Sequence, residues 1–197
     1  MRVFIVYCHP SESSFTRQIL DRFISGLTSA GHDYLLSDLY KMDFKTDMSE
    51  AEYKREAYYR KEVPVPEDVL AEQEKINSSE TIVFIFPLFW SDAPAKLVGW
   101  FSRVWTYGFA YGENRSMKQL EKGLVICSAG NKMEYFHQTG ILGTLEKVML
   151  EDRLCDRVKT KELIILDGTS REKPLREQNC EKHLERVFTA GKTIGKH

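Results

Sequence analysis

Two hydrophobic rhythms alternate along the chain. Short apolar or β-branched runs occur at Arg2–Tyr7, Tyr34–Leu39, Thr81–Phe86, Lys122–Cys127 and Glu162–Leu166. Near-continuous apolar runs of this length, Thr81–Phe86 above all, mark strands covered on both faces. Between the runs, apolar residues recur three and four positions apart. Phe15, Ile19, Leu20, Phe23, Ile24 and Leu27 form one helical stripe, and Gly31 follows as a stop. A helix is predicted over 67–77, with Val69, Leu70, Gln73 and Ile76 on one face. Pro94 suits an early helical position, so 95–107 reads as helix. Thr139–Leu154 reads as one further helix. Arg171–Ile194 reads as a long closing helix with Leu184, Val187 and Phe188 inward.

Residues 40–65 are less regular. Met48–Arg60 is rich in helix formers with Ser49 placed to cap them, and Pro64 and Pro66 then break the pattern. An excursion of this length beside a ligand site is a rim or a surface detour.

Strands alternating with helices predict a parallel sheet with helices on both faces. Five strands joined by right-handed crossovers favour the order 2-1-3-4-5. The expected fold class is therefore α/β, a flavodoxin-like three-layer sandwich, in one domain over residues 1–197.

Composition narrows the function. Hydrophobic residues at 42% and charged residues at 29% suit a soluble globular protein, and a net charge of −1 gives no bulk attraction for nucleic acid. Cys8, Cys127, Cys155 and Cys180 are far apart, with neither a CxxC pair nor zinc-ligand spacing, so no metal site is expected. Cys8 and Cys127 end predicted strands and read as buried thiols. No apolar run approaches the ~18 residues of a membrane span. Met1 leads straight into a strand without a secretory leader. The expectation is a cytoplasmic protein that neither inserts into a membrane nor binds nucleic acid.

In such a sheet the loops after the first, third and fourth strands meet at one edge. The first, His9 to Thr16, joins a strand to a helix start, where unpaired amides favour an anion and the serine hydroxyls add donors. It suits a phosphate; equally, Ser13 or Ser14 simply caps the helix. No GxxxxGK[ST] and no GxGxxG is present. The second loop, Pro87 to Pro94, puts Leu88, Phe89, Trp90 and Ser91 just past a buried strand. Leu88 and Trp90 would frame a flat ring whose polar edge meets backbone groups. The alternative, aromatics as core, is opposed by the two prolines and Asp92. The third loop, Ser128 to His137, contains Gly130, which permits close backbone approach. Amides of Ala129 and Gly130 would face the N1/O2 edge of a flavin, with Tyr135 and His137 above the ring. The alternative for His137 is a solvated surface group. The three loops together predict a flavin pocket.

Several motifs stand in a recognisable order: HPSESSFT (9–16), SDLYKMDF (37–44), AEQEK (71–75), FPLFW (86–90) with KLVGWFSRV (96–104), GFAYG (108–112) and SAGNKMEY (128–135). Over positions 1 to 140 the chain resembles the NAD(P)H:quinone oxidoreductases of the DT-diaphorase type; the C-terminal third matches poorly. The resemblance implies a homodimeric flavoprotein that moves a hydride from NAD(P)H to a quinone by ping-pong kinetics. FAD is the implied cofactor, with FMN possible. The segment matching His9, Ser14, Phe15 and Thr16 holds the flavin phosphates in that family. The ring lies against the segments matching Pro87, Leu88, Phe89, Trp90 and Ser91 and matching Cys127, Ser128, Ala129 and Gly130, where the family usually has Thr-Thr-Gly-Gly. Tyr135 matches the active-site tyrosine. Ile141 stands where the best-studied branch has a histidine, leaving His137 as the nearby substitute. Related ancillary subunits regulate a potassium-efflux channel, so a regulatory subunit docking through 45–65 is the second reading. An electron-transfer flavodoxin is a third, disfavoured by the near-zero charge.

Overall fold

Strand β1 (Arg2–Tyr7) shows how the sheet is covered. Val3, Ile5 and Tyr7 face one side, Phe4, Val6 and Cys8 the other, and all six are buried. The computed structural model describes residues 1–170 and 176–195. β2 (Asp33–Asp38), β3 (Thr81–Pro87), β4 (Leu120–Ser128) and β5 (Val158–Leu166) complete a parallel sheet in the order β2-β1-β3-β4-β5, as predicted. The helices in chain order are α1 (Phe15–Ser29), α2 (Glu50–Ala57), α3 (Glu67–Asn77), α4 (Ala95–Val104), α5 (Met133–Gln138), α6 (Ile141–Glu146) and α7 (Arg176–Thr193).

Each face has its own core. Ile19, Leu20 and Phe23 of α1 and Val187 of α7 pack on Val3, Ile5, Val83 and Ile126. Ile76 of α3 and Leu97, Trp100 and Val104 of α4 pack on Phe4, Phe84 and Val125. Helices α1 and α7 cross with their backbones in contact. A Cβ on Gly26 would lie 2.2 Å from the Phe188 carbonyl oxygen, and one on Gly191 would lie 2.4 Å from that of Phe23. Only glycine permits this approach.

The excursion after β2 is fastened to α4. Gly99 leaves room for Thr46, whose carbonyl oxygen would sit 2.7 Å from a Cβ there. Arg103, 3% exposed, bonds Glu52 at 2.7 Å, both oxygens of Asp68 at 2.5 and 3.0 Å, and the Lys45 carbonyl at 2.9 Å. Glu72, fully buried, accepts from Ser37 at 2.8 Å, Lys75 at 2.6 Å and the Trp100 indole at 2.8 Å. A buried carboxylate needs such partners. Three of the motifs, SDLYKMDF, AEQEK and KLVGWFSRV, thus meet in one polar network.

The structure departs from the sequence reading in several elements. The predicted helix 95–107 stops at Val104, because the Gln73 side chain takes the Val104 carbonyl at 3.1 Å and the Thr106 hydroxyl at 2.9 Å. The predicted helix 139–154 is broken into α6 and a π-helical segment, Lys147–Leu154. Gly140, left-handed at φ 73°, separates α5 from α6. β5 begins at Val158, four residues early, because its first half is a half-exposed edge whose Lys159 and Lys161 hid the strand pattern. Ser49 caps α2 as expected, with a reciprocal bond from its own amide to Glu52. Of the predicted closing helix, 171–175 lies outside the described residues. No described helix is long and apolar enough to cross a membrane.

Arg103 generates the first prediction. Arg103→Met leaves Glu52 and Asp68 facing each other and costs about 2–3 kcal/mol, less than a fully buried pair because Asp68 stays partly in water. Burial pushes Glu52 up, but bonds from Ser49 and Arg103 outweigh it and hold it below its ordinary value. The Arg103 bond lowers Asp68 against desolvation. Both carboxyls bind protons less readily folded than unfolded, so their stabilisation is present above their ordinary range and lost as pH falls through their folded values. Thermal melts from pH 7 down to about 3 are expected to show a steep acid limb below roughly pH 4 in the parent, shallower in Arg103→Met.

Candidate functional site

The carboxyl ends of β1, β3 and β4 bring the three loops together. Cys8 N–H donates to the Ile85 carbonyl at 3.0 Å, and Leu88 N–H to the Ser128 carbonyl at 2.8 Å. The hydroxyls of Thr16 and Ser128 lie 3.1 Å apart, buried, and tie the first turn of α1 to the end of β4.

In the first loop, Ser14 caps α1 by accepting from Arg17 N–H at 3.0 Å. The amides of Ser13, Ser14, Phe15 and Thr16 donate to no acceptor among the described residues. Ser14 therefore caps α1, one of the two readings the sequence offered, and the amides around it stay uncommitted among the described residues. His9 Nδ1 lies 2.9 Å from the Ser11 amide nitrogen and 3.1 Å from the Ser11 carbonyl oxygen, so the ring is held against the loop backbone whichever nitrogen carries the proton. Burial pushes His9 below its ordinary value, against a bond to the Ser11 backbone. The Tyr7 hydroxyl, in a residue 1% exposed, has no hydrogen-bond partner among the described residues. Burial raises its pKa to about 12, partly offset by the nearby Ser14. It is a neutral donor at the base of this loop. A cavity of about 260 Å³ borders it, lined by Tyr7, His9, Ser11, Asp38 and Tyr40.

The second loop is a two-residue hairpin. Phe89 and Asp92 exchange backbone bonds at 3.0 and 3.2 Å, with Trp90 at φ 59°. Positive φ at Trp90 without one at Ser91 is the type II′ pattern. A bulky residue there is strained by about 1–3 kcal/mol. Trp90 is 99% exposed and Phe89 46%, so neither is core. The Trp90 and Ser91 amides are free among the described residues, while Ala93 N–H donates to Asp92 Oδ1 at 2.7 Å. Pro87 is buried and Leu88 half-buried at the strand end. Arg153, from the π-helical segment, lies over the Phe101 ring at 4.7 Å and places a guanidinium nitrogen 3.6 Å from Asp92.

The third loop corrects three expectations. Ala129 N–H donates to the Leu166 carbonyl at 2.9 Å and is not free; the Gly130 and Asn131 amides are, among the described residues. The Cys127 side chain is a buried thiol, as its place at a strand end implied, and burial raises it to about 12. Tyr135 and His137 lie on helix α5, not in an open loop. Two residues apart on a helix, they do not face each other, so His137 makes no relay with Tyr135. Tyr135 is 43% exposed, whereas Ile141 is half-buried against the core. The sequence reading missed the loop after β5. Thr169 N–H and hydroxyl both donate to the Ala129 carbonyl at 3.0 Å, and Gly168 N–H donates to that of Asn131 at 2.9 Å. Asp167-Gly168 carries a turn signal, but nothing local says which loop it will hold.

Three loops with uncommitted amides and exposed aromatics around one sheet edge fit the phosphate and polar ring edge of a flavin. A larger cavity of about 460 Å³ opens at the opposite edge of the sheet and holds none of the candidate residues.

A family described as having a flavodoxin-like fold matches residues 1–187. The chain belongs to the flavodoxin-like family. The match continues well past residue 140, where the sequence resemblance had faded. This flavodoxin-like protein is similar to an NAD(P)H:quinone oxidoreductase from Methanothermobacter marburgensis: 43% identical, covering 100% of this chain and 98% of that one, with a TM-score of 0.94. It is 29% identical over 175 residues to a ribosyldihydronicotinamide dehydrogenase-like protein of Penicillium crustosum, and 28% identical over 165 residues to NAD(P)H dehydrogenase (quinone) 1 of Rattus norvegicus. Those matches take in 76% and 75% of this chain but 65% and 60% of the two relatives' length.

Two measurements check the site's electrostatics. Histidine NMR titration is expected to show His9 below the ordinary ~6.5, with the ring neutral at pH 7. Its lowered value makes folding less favourable as pH drops from ~6.5 toward it, since the unfolded ring binds the proton more readily. Alkylation at pH 8 with mass-spectrometric mapping is expected to label exposed Cys155 at least about 100-fold faster than buried Cys8 and Cys127, whose thiols lie near 12.

Proposed function

We propose that this protein is a flavin-dependent NAD(P)H:quinone oxidoreductase. The observation that carries the reading is the set of free amides on three loops around one sheet edge, at Ser13–Thr16, Trp90–Ser91 and Gly130–Asn131. The similarity to the Methanothermobacter marburgensis oxidoreductase along nearly its whole length supports it. A flavin held by these amides would supply the redox chemistry, hydride transfer from NAD(P)H to a quinone.

The chain's own residues bind, orient and polarise. Free amides of the first loop, the His9 ring and the orphaned Tyr7 hydroxyl supply donors for phosphate. The Trp90 and Ser91 amides and those of Gly130 and Asn131 supply donors for the polar ring edge, preorganised by the strand ends behind them. The half-exposed Tyr135 hydroxyl donates a hydrogen bond to the quinone oxygen as negative charge develops there. A single site taking NAD(P)H and then the quinone would give ping-pong kinetics. FAD is the proposed form of the cofactor and FMN the alternative; chromatography of the flavin released by heat decides between them.

The reading extends to one flavin-binding domain over 1–197 acting as a homodimer. The exposed Phe89 and Trp90 support the dimer, since a second copy would cover them. Tyr53, Tyr58 and Tyr59, each more than 60% exposed on the 45–65 excursion, favour docking of a protein partner as the second reading. Weak quinone turnover with tight co-purification of a channel subunit would support it.

The test is anaerobic mixing of flavin-loaded protein with NADH or NADPH while flavin absorbance is followed. Bleaching, reversed by a quinone, is expected; no bleaching with either nucleotide refutes the reductase reading. Tyr135→Phe is expected to slow quinone turnover about 10-fold, the worth of one hydrogen bond, without weakening flavin binding. Unchanged turnover would remove Tyr135 from the mechanism.

A further inference from the structure

Helix α5, which carries Tyr135, has no reason to form on its own. It is six residues long, far below the length at which an isolated helix holds together. Its N-cap, Lys132, provides no side-chain cap, and Phe136 is its one buried residue. The glycine at 140 closes its C-terminal end in the ordinary left-handed manner. Its N-terminal end is closed from elsewhere in the chain. Met133 N–H, at the first helical position, donates to Asp167 Oδ2 at 3.0 Å.

Asp167 lies one residue past β5, 34 positions from the amide it accepts from. It is itself held. His183 of α7 places Nε2 2.8 Å from the Asp167 carbonyl oxygen and 3.8 Å from Oδ1. A carbonyl accepts only, so Nε2 is the donor. Next to Asp167, Gly168 and Thr169 bond the carbonyls of Asn131 and Ala129. These contacts leave the Gly130 and Asn131 amides free while fixing the backbone on either side of them.

We propose that Asp167, seated by His183, is a positioning residue for Tyr135: its carboxylate caps α5 from a distant strand end and so sets where the tyrosine hydroxyl stands over the site. The pairing restates no sequence motif, and it gives the C-terminal segment a role at the reacting edge of the sheet. The claim about catalysis rests on the reductase reading; the claim about the helix does not.

The experiment separates the two. Asp167→Ala removes the cap, whereas Asp167→Asn keeps a side-chain oxygen that still accepts from Met133. Amide hydrogen exchange measured by mass spectrometry over 131–138 reads the helix without any cofactor. A lost cap is expected to raise exchange there by roughly 2- to 30-fold in Asp167→Ala, with Asp167→Asn close to the parent. In flavin-loaded protein the same substitution is expected to lower kcat/KM for the quinone by a comparable factor, while the rate of flavin bleaching by NAD(P)H and the flavin affinity stay within twofold. Asparagine is expected to restore the quinone step. Unchanged exchange in Asp167→Ala overturns the cap. Raised exchange with an unchanged quinone step overturns the positioning role, as does an equal loss in both half-reactions. If the protein bleaches with neither nucleotide, the reductase reading fails while the exchange result still stands. Should Asp167→Ala fail to fold, His183→Ala, which unseats Asp167 without removing it, is expected to give a smaller change of the same sign; no change in exchange there overturns the proposal.

Discussion

Parallel strand pairing continued past the ends of the strands is the interaction on which the site depends. Cys8, Leu88 and Ala129 each make one further backbone bond to a neighbouring strand after their own strand has ended or at its last turn outward. These bonds aim three loops at a common edge before any ligand arrives. What lies beyond them is unpaired backbone: amides that water satisfies in the free protein and that a phosphate or ring edge would satisfy in the bound one. A sheet whose register slipped by one residue would send the apolar faces of β1 and β3 to the wrong helices, so the buried alternation of Val3, Ile5 and Tyr7 against Phe4, Val6 and Cys8 protects the geometry of the site.

Polar groups do the work of attachment where the core cannot. The excursion between β2 and α3 has few buried apolar residues, and Arg103 fastens it through Glu52 and the Lys45 carbonyl while also bonding Asp68 at the start of α3. Glu72 joins β2, α3 and α4 through Ser37, Lys75 and Trp100. Both are costly to bury and tolerable only when every partner is present. That condition explains why Ser37, Glu72, Lys75, Trp100 and Arg103, residues of several recognisable motifs, serve to join the elements of the frame. The C-terminal segment shows the complementary case. It carries little recognisable pattern, yet Asp167, Gly168 and Thr169 hold the third loop in place.

Some features of the site were legible locally and others were not. Ser14 as a cap, Gly130 as an open position and Trp90 beyond a buried strand could be read from neighbours within a few residues. Helix α5 could not, because six residues have no helical periodicity to display and its cap comes from 34 positions away. A separation of similar length, from Ala129 to Leu166, hid the loss of the Ala129 amide to β5. His137 looked like a substitute for the missing histidine only while the segment was an open loop; once it is helical, the residue turns away from Tyr135.

The sequence alone determined the layered fold, the strand order and which loops would meet, because apolar runs and helical stripes report burial directly and a parallel sheet leaves few ways to connect them. Tertiary structure alone decided which amides at that edge stay free, which side chain closes α5 and which arginine holds the excursion. Those outcomes are choices of hydrogen-bond partner between residues tens of positions apart, and a donor's local sequence carries no record of the acceptor it will meet.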